Sequence, residues 1–155
     1  MLGWPLDREI QTSFATWALF NAPRDYNGDG IYDDKHEGLD FHARVGDPVL
    51  ACLDGEVVWA SNQLRGGLGD SLYGSHIVIE HDDGIITWSG HLDDMLSAVG
   101  DIVNKGDVIG SAGSSGKSTG PHLHLTVQHI GHGLDGYVVN DVVDPMNYLG
   151  ENNGV

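Results

Sequence analysis

This sequence predicts an all-β fold with minor α content, a compact antiparallel domain built as a sandwich or an open barrel. Three observations predict it. Glycine is over-represented at 23 residues, and glycine supplies the positive φ of tight turns and bulges. Short runs rich in Val and Ile carry a period of two. Turn signals separate those runs along most of the chain.

The elements follow in order. Residues 1–24 are mixed: TSFATWALFNAP fits one helical turn or a strand, and Pro23 stops it. DYNGDGIYDDKHEG is a polar, acidic loop, after which the period changes to two. Strands are expected at residues 39–42, 48–51, 56–61, 76–81, 85–90, 108–112 and 122–129. The turns between them carry Val45-Gly46-Asp47, Asp54-Gly55, Asp82-Asp83-Gly84, Lys105-Gly106-Asp107 and the run SAGSSGKSTG. Residues 92–99 read as a short helix, and the glycine-rich LRGGLGDSLYGS as a mobile loop. No internal repeat or domain boundary is visible, so residues 1–155 are expected to form a single domain large enough for a hydrophobic core.

Composition narrows the partners. Hydrophobic residues make up 40% and charged residues 19%, which fits a globular chain. Seven Lys plus Arg stand against 23 acidic residues, a net charge of −16. Nothing is available to neutralise phosphates, which argues against nucleic acid and against an anionic bilayer. No apolar run approaches the roughly 20 residues of a membrane span, and no signal peptide is visible. The single Cys52 excludes an internal disulfide and reads as a small buried hydrophobe. A monomer is expected.

Nine histidines carry the chemistry. The tightest arrangement is HLH, His122 and His124. On a strand, residues i and i+2 share a face, about 7 Å apart. Two such rings can share a metal, or one can bind it while the other works beside it. The alternative is a pair of ordinary surface histidines. The second arrangement is HEGLD, His36 and Asp40. A spacing of four echoes the helical HExxH zinc motif, but Gly38 disfavours a helix, the last member is Asp, and LDFHA reads as a strand entry. A loop running into a strand also presents His36 and Asp40 together. Two imidazoles and a carboxylate suit zinc and leave a fourth position for water, whose pKa the ion lowers to near 7. Such a site needs a base and an oxyanion donor, roles that His91 in WSGHL and whichever HLH histidine is not a ligand can fill.

Four blocks together resemble a known family: HEGLDFHARVGDPVLACLDGEVV, IVIEHDDGIITWSGHL, VGDIVNKGDVIGSAGSSGKSTGPHLHLTV and VVDPMNYL. Over residues 34–149 the chain resembles the lysostaphin-type, LytM-like zinc endopeptidases of bacterial cell-wall metabolism. The resemblance implies a curved antiparallel sheet with a groove walled by loops. It implies zinc on His36, Asp40 and His124, with His91 and His122 as catalytic histidines. It implies peptide bonds of peptidoglycan stems or cross-bridges as substrate, at an extracellular, wall, periplasmic or phage-associated location. Some relatives have lost ligands and only activate amidases; all five positions stand here. Two features depart from the family: Trp88-Ser89-Gly90 replaces the usual lead into His91, and no tyrosine aligns cleanly before His36, although Tyr26 and Tyr32 lie nearby.

A second ion is suggested by DYNGDGIYDDKH. Asp25, Asn27 and Asp29 occupy positions 1, 3 and 5 of a calcium loop, with Gly30 at 6, the carbonyl of Ile31 at 7 and Asp33 at 9. Position 12 is His36 rather than Glu, so an acidic loop without metal is the competing reading. His129 and His132 in QHIGHG read as surface-loop residues, and His81 as a turn hydrogen-bonding residue.

Overall fold

Alternation along a few central strands decides the layout, because each keeps one face for the core and leaves the other for chemistry. The computed structural model describes residues 1–6, 19–24, 30–31, 34–62, 72–132 and 138–150. Its strands are β1 (Pro23–Arg24), β2 (Asp34–Lys35), β3 (Leu39–His42), β4 (Pro48–Leu50), β5 (Gly55–Ser61), β6 (Ser75–His81), β7 (Ile85–Met95), β8 (Ile102–Val103), β9 (Val108–Ala112), β10 (His122–His132) and β11 (Val138–Val143). Short 3-10 turns occupy Asp82–Gly84 and Pro145–Asn147. Among the described residues, one open antiparallel sheet runs β11-β10-β7-β6-β5-β8, with β3 added to β10 and β9 joining β7 to β4. The separate β1–β2 ribbon pairs Pro23 with Lys35 and Arg24 with Asp34. No helix among these residues is long and apolar enough to cross a membrane.

Strand β10 is the keel. Leu123, Leu125 and Val127 are fully buried in the core, joined by Leu39 and Phe41 of β3 and by Ile77 and Ile79 of β6. Each such side chain contributes on the order of 2 kcal/mol by leaving water. The intervening His122, His124 and Thr126 face the opposite side. A one-residue slip would exchange the two sets, so the leucines fix the register that presents the histidines. That register sets His124 opposite Asp40 on β3 and opposite Gly90 on β7.

Strand β7 carries an irregularity that matters. Ile77 pairs with Ser89 and Ser75 with Leu92, so β6 advances two residues while β7 advances three. The extra residue is a bulge at Gly90–His91. Thr87 and Ser89 face the core, and strict alternation would send His91 there as well. Instead His91 adopts φ 60, and Leu92 takes the core position with no exposed surface.

Several expectations need correction. Residues 92–95 are not helical but extend β7, pairing Asp94 with Ser111 and Met95 with Gly110. His129 and His132 are not in a loop: β10 continues through them and pairs with β11, His129 to Asp141 and His132 to Val138. Strands β1, β2, β8 and β11 were not anticipated. Cys52 is buried as expected, and burial pushes its thiol up to about 12 despite nearby Lys105.

Candidate metal and catalytic site

His36 and Asp40, four residues apart, meet the distant His124 at one end of β10. His36 arrives on the extension of the β1–β2 ribbon, where its N–H donates to Ala22 O at 2.9 Å and its own carbonyl accepts from Asn21 N at 2.9 Å. Asp40 projects from β3 and His124 from β10. Their inward atoms form a triangle: His36 Nε2 to Asp40 Oδ1 3.0 Å, His36 Nε2 to His124 Nδ1 3.0 Å, and His124 Nδ1 to Asp40 Oδ1 2.8 Å. All three residues are buried, between 2% and 6% exposed. His91 and His122 stand beside the triangle, their rings 4.5 Å apart, with His122 Nε2 3.7 Å from Asp40 Oδ1. A cavity of about 320 Å³ opens over the cluster, walled also by Arg24, Glu37, Tyr73 and Lys117.

Outer hydrogen bonds decide which nitrogen of each ring is available. The Nδ1 atoms of His36, His91 and His122 lie 3.0, 2.8 and 2.7 Å from the carbonyls of Leu19, Ser115 and Gly120. Carbonyls only accept, so in all three rings Nδ1 carries the proton and Nε2 keeps the lone pair. His124 is reversed: its Nδ1 belongs to the triangle and its Nε2 lies 2.9 Å from Thr126 Oγ1, which can accept the outer proton. The triangle therefore gathers two imidazole nitrogens and a carboxylate oxygen with little to hold them together except a shared proton or a cation. Its edges are near the roughly 3.3 Å ligand spacing of a tetrahedron about zinc, and its donors are nitrogen and oxygen, so the residues fit that ion. Arg24 Nη2 holds the outer oxygen, Asp40 Oδ2, at 3.2 Å.

Electrostatics agree with this arrangement. Burial alone would raise the Asp40 pKa, but when a proton is shared into the triangle the hydrogen bonds and charge of His124 and His36 outweigh it and hold the carboxyl well below the usual carboxylate range. Burial lowers His124 against the opposing pull of Asp40. Burial also brings His91 down to about 4, helped by its neighbours His122 and His124. His91 is thus neutral at pH 7 and can accept a proton.

A stability prediction follows from these shifts. His76, His81, His91 and His124 all lie below their ordinary value of 6.5 because burial penalises the imidazolium. The unfolded chain takes up these protons near pH 6.5, whereas the folded chain refuses them until lower pH, about 4 for His91. Stability is then fully present above pH 6.5 and is lost as pH falls through that window. His91 alone accounts for a loss of roughly 3 kcal/mol once it is fully protonated. The urea midpoint of the metal-free protein is expected to fall steadily from pH 7 to 4.5; a flat profile would contradict the burial of these rings.

Several residues of the site were not singled out from the sequence: Arg24, Tyr73, Lys117, Ser115 and Thr126. Gly38 was read only as a helix breaker, yet a Cβ there would lie 2.5 Å from Leu125 O and 2.6 Å from His124 Nε2. Its absent side chain lets β3 and β10 bring Asp40 and His124 together. His76 stacks on Trp88 at 5.7 Å, and His81 bridges Asp54 O and Thr87 Oγ1, so both have partners away from the triangle. Of the expected calcium ligands, Asp25, Asn27, Asp29 and Asp33 lie outside the described residues, as do Tyr26 and Tyr32 and most of the glycine-rich loop. Ile31 is exposed, and calcium gains no support.

Known proteins are similar to this chain in sequence and in fold. Residues 34–139, which span the triangle and both flanking histidines, match the model of Peptidase family M23. The chain is 38% identical over 121 residues to the glycyl-glycine endopeptidase ALE-1 of Staphylococcus capitis, covering 77% of this chain and 30% of that protein. It is 38% identical over 107 residues to the DD-carboxypeptidase/endopeptidase Mpg of Neisseria meningitidis, covering 69% of this chain and 22% of that protein. Among solved structures, a zinc-containing peptidase from Vibrio cholerae superimposes with a TM-score of 0.71 at 31% identity, over 92% of this chain and 38% of that one. The chain thus spans under a third of the length of these two curated relatives. With the family match reaching over most of the chain and the sheet shared with a solved peptidase, the chain belongs to Peptidase family M23.

Proposed function

We propose that this chain is a zinc-dependent endopeptidase that hydrolyses peptide bonds in peptidoglycan stems or cross-bridges, with His36 Nε2, Asp40 Oδ1 and His124 Nδ1 as ligands. The convergence of those three atoms beside two further histidines is the observation that carries this reading. When bound, zinc supplies a Lewis acid that polarises the scissile carbonyl and brings the pKa of water near 7. The remaining work belongs to the chain. His91 and His122 each keep an Nε2 lone pair while Nδ1 is tied to a carbonyl, so each is able to take a proton and, once charged, to donate to a developing oxyanion or leaving amine. Retention of all five residues favours an active enzyme over a wall-binding or amidase-activating module.

The relatives named above include a glycyl-glycine endopeptidase and a DD-carboxypeptidase/endopeptidase, so both bond types are assayed together. The zinc-loaded protein is incubated with purified peptidoglycans whose cross-bridges are glycine chains or direct D-Ala links, and released peptides are identified by mass spectrometry. Cleavage of at least one class at a single bond type is expected. No peptide release from either class would overturn the proposal.

The support of His124 gives a second test. A histidine ligand is oriented by the acceptor on its outer nitrogen, and losing such an acceptor costs about 10–100-fold in metal affinity. Thr126→Val keeps the shape and removes the acceptor of His124 Nε2–H. Zinc affinity, measured by chelator competition, is expected to fall by that factor while the melting temperature of the metal-free protein changes little. Unchanged affinity would remove Thr126 from the ligand's support.

A further inference from the structure

The bulge at Gly90–His91 raises a question of restraint. A histidine at φ 60 occupies a conformation that L side chains disfavour, and it persists only where surrounding contacts hold it. Two contacts are direct. His91 N donates to Tyr73 O at 2.6 Å, and His91 Nδ1 donates to Ser115 O at 2.8 Å. The second comes from a turn rather than a strand, so something must fix that turn.

The Ser115 hydroxyl does so. It donates to Leu92 O at 2.7 Å, the carbonyl directly after His91, and accepts from Ser75 N at 2.9 Å on β6. One residue therefore ties both strands that flank the bulge, and its carbonyl meets the imidazole they deliver. The fit leaves little slack. Gly74 is at φ 62, and a Cβ there would collide with the backbone of Ser115 and Gly116. Lys117 N, two residues on, donates to Leu72 O at 3.1 Å.

We propose that Ser115 is a positioning residue for His91. Its hydroxyl locks the turn to the bulge, so that its carbonyl keeps the proton on His91 Nδ1 and the lone pair on Nε2. This rests on the reading that His91 takes part in the reaction. Ser115 is neither a member of the triangle nor a lining residue of the cavity, and it acts only through His91.

The test compares Ser115→Ala, which removes the hydroxyl and keeps the carbonyl, with Ser115→Thr, which keeps both. Two readouts are taken on zinc-loaded protein: kcat and KM on peptidoglycan fragments, and the His91 ring nitrogens by NMR, which reports the tautomer without turnover. Ser115→Ala is expected to lower kcat by roughly tenfold to a hundredfold with KM within about twofold, the size of a misplaced catalytic group. Bound zinc stays at the wild-type level, and the His91 Nδ1–H signal weakens or mixes with the Nε2–H form. Ser115→Thr restores both readouts. Wild-type kcat in Ser115→Ala together with an unchanged Nδ1–H signal would overturn the proposal. So would a wild-type protein whose His91 carries its proton on Nε2, a result that needs no variant to fold. If wild-type protein cleaves no peptidoglycan, the enzymatic reading fails, while the NMR arm still decides whether Ser115 holds the tautomer.

Discussion

Replacing His91 with alanine is expected to leave one zinc per chain in place and to cut peptide-bond hydrolysis by about 10²–10⁴-fold, the usual contribution of a positioned acid or base. His124→Ala is expected to lose both the metal and the activity. The contrast follows from geometry. His124 Nδ1 sits within 3.0 Å of both other members of the triangle, whereas the His91 ring centre lies 5.9 Å from that of His124 and its Nδ1 is committed to Ser115 O. Metal content by elemental analysis, read beside the rate, separates the two roles. Full activity in the His91 variant would show that the reaction does not pass through this ring.

Gly38→Ala is expected to have the second largest effect, although it adds one methyl group and touches no proposed ligand atom in sequence. The new Cβ would sit 2.5–2.6 Å from Leu125 O and from the Cε1 and Nε2 atoms of His124. Leu125 is held in the ladder to both β3 and β7, so its carbonyl cannot retreat. Residue 38 then has to back away from that carbonyl and the ring has to turn, breaking its contact with Thr126 and swinging Nδ1 out of the triangle. Overpacking of this kind typically costs 1–3 kcal/mol, about one to two decades in zinc affinity when the strain is relieved by moving the ligand. Chelator competition and the zinc-dependent rise in melting temperature both measure it. Wild-type affinity in this variant would mean that β3 and β10 separate more easily than their pairing implies.

Much of the sheet was legible because one face of each central strand is buried. The alternation in HLHLTV and LDFH placed β10 and β3, and with them Asp40 and His124, whereas His36 and the choice of His124 over His122 as a ligand rested on the family resemblance. Strand β9 also matched its expected bounds. The helix expected at residues 92–99 failed for a physical reason. Strand β7 shifts register twice, between Ser89 and Leu92 and again between Leu92 and Asp94, and each shift erases the period of two. The same bulge that brings His91 to the cavity thus hid the strand that carries it. Strands β1, β2 and β8 are two residues each, too short for any pattern, and VVNDVV in β11 does not alternate.

The site divides in the same way. Ligand-type residues announce themselves by kind and spacing. Their supports do not, because Ser115 meets His91 across 24 positions and Arg24 meets Asp40 across 16. Nothing local to a serine in SSGKSTG says which carbonyl it will hold. Gly38 is the instructive case: its local meaning, a poor helix, was correct and incomplete, since the reason for glycine is a ring that belongs to β10.

Stripping the metal and returning it tests the central claim most directly. Chelator-treated protein is assayed on peptidoglycan while zinc is added in fractions of an equivalent. Activity is expected to be absent at the start, to rise linearly and to level off at one zinc per chain, with no rise in Asp40→Ala. Hydrolysis at the full rate by the metal-free protein would contradict the assignment of His36, Asp40 and His124 as the catalytic metal site.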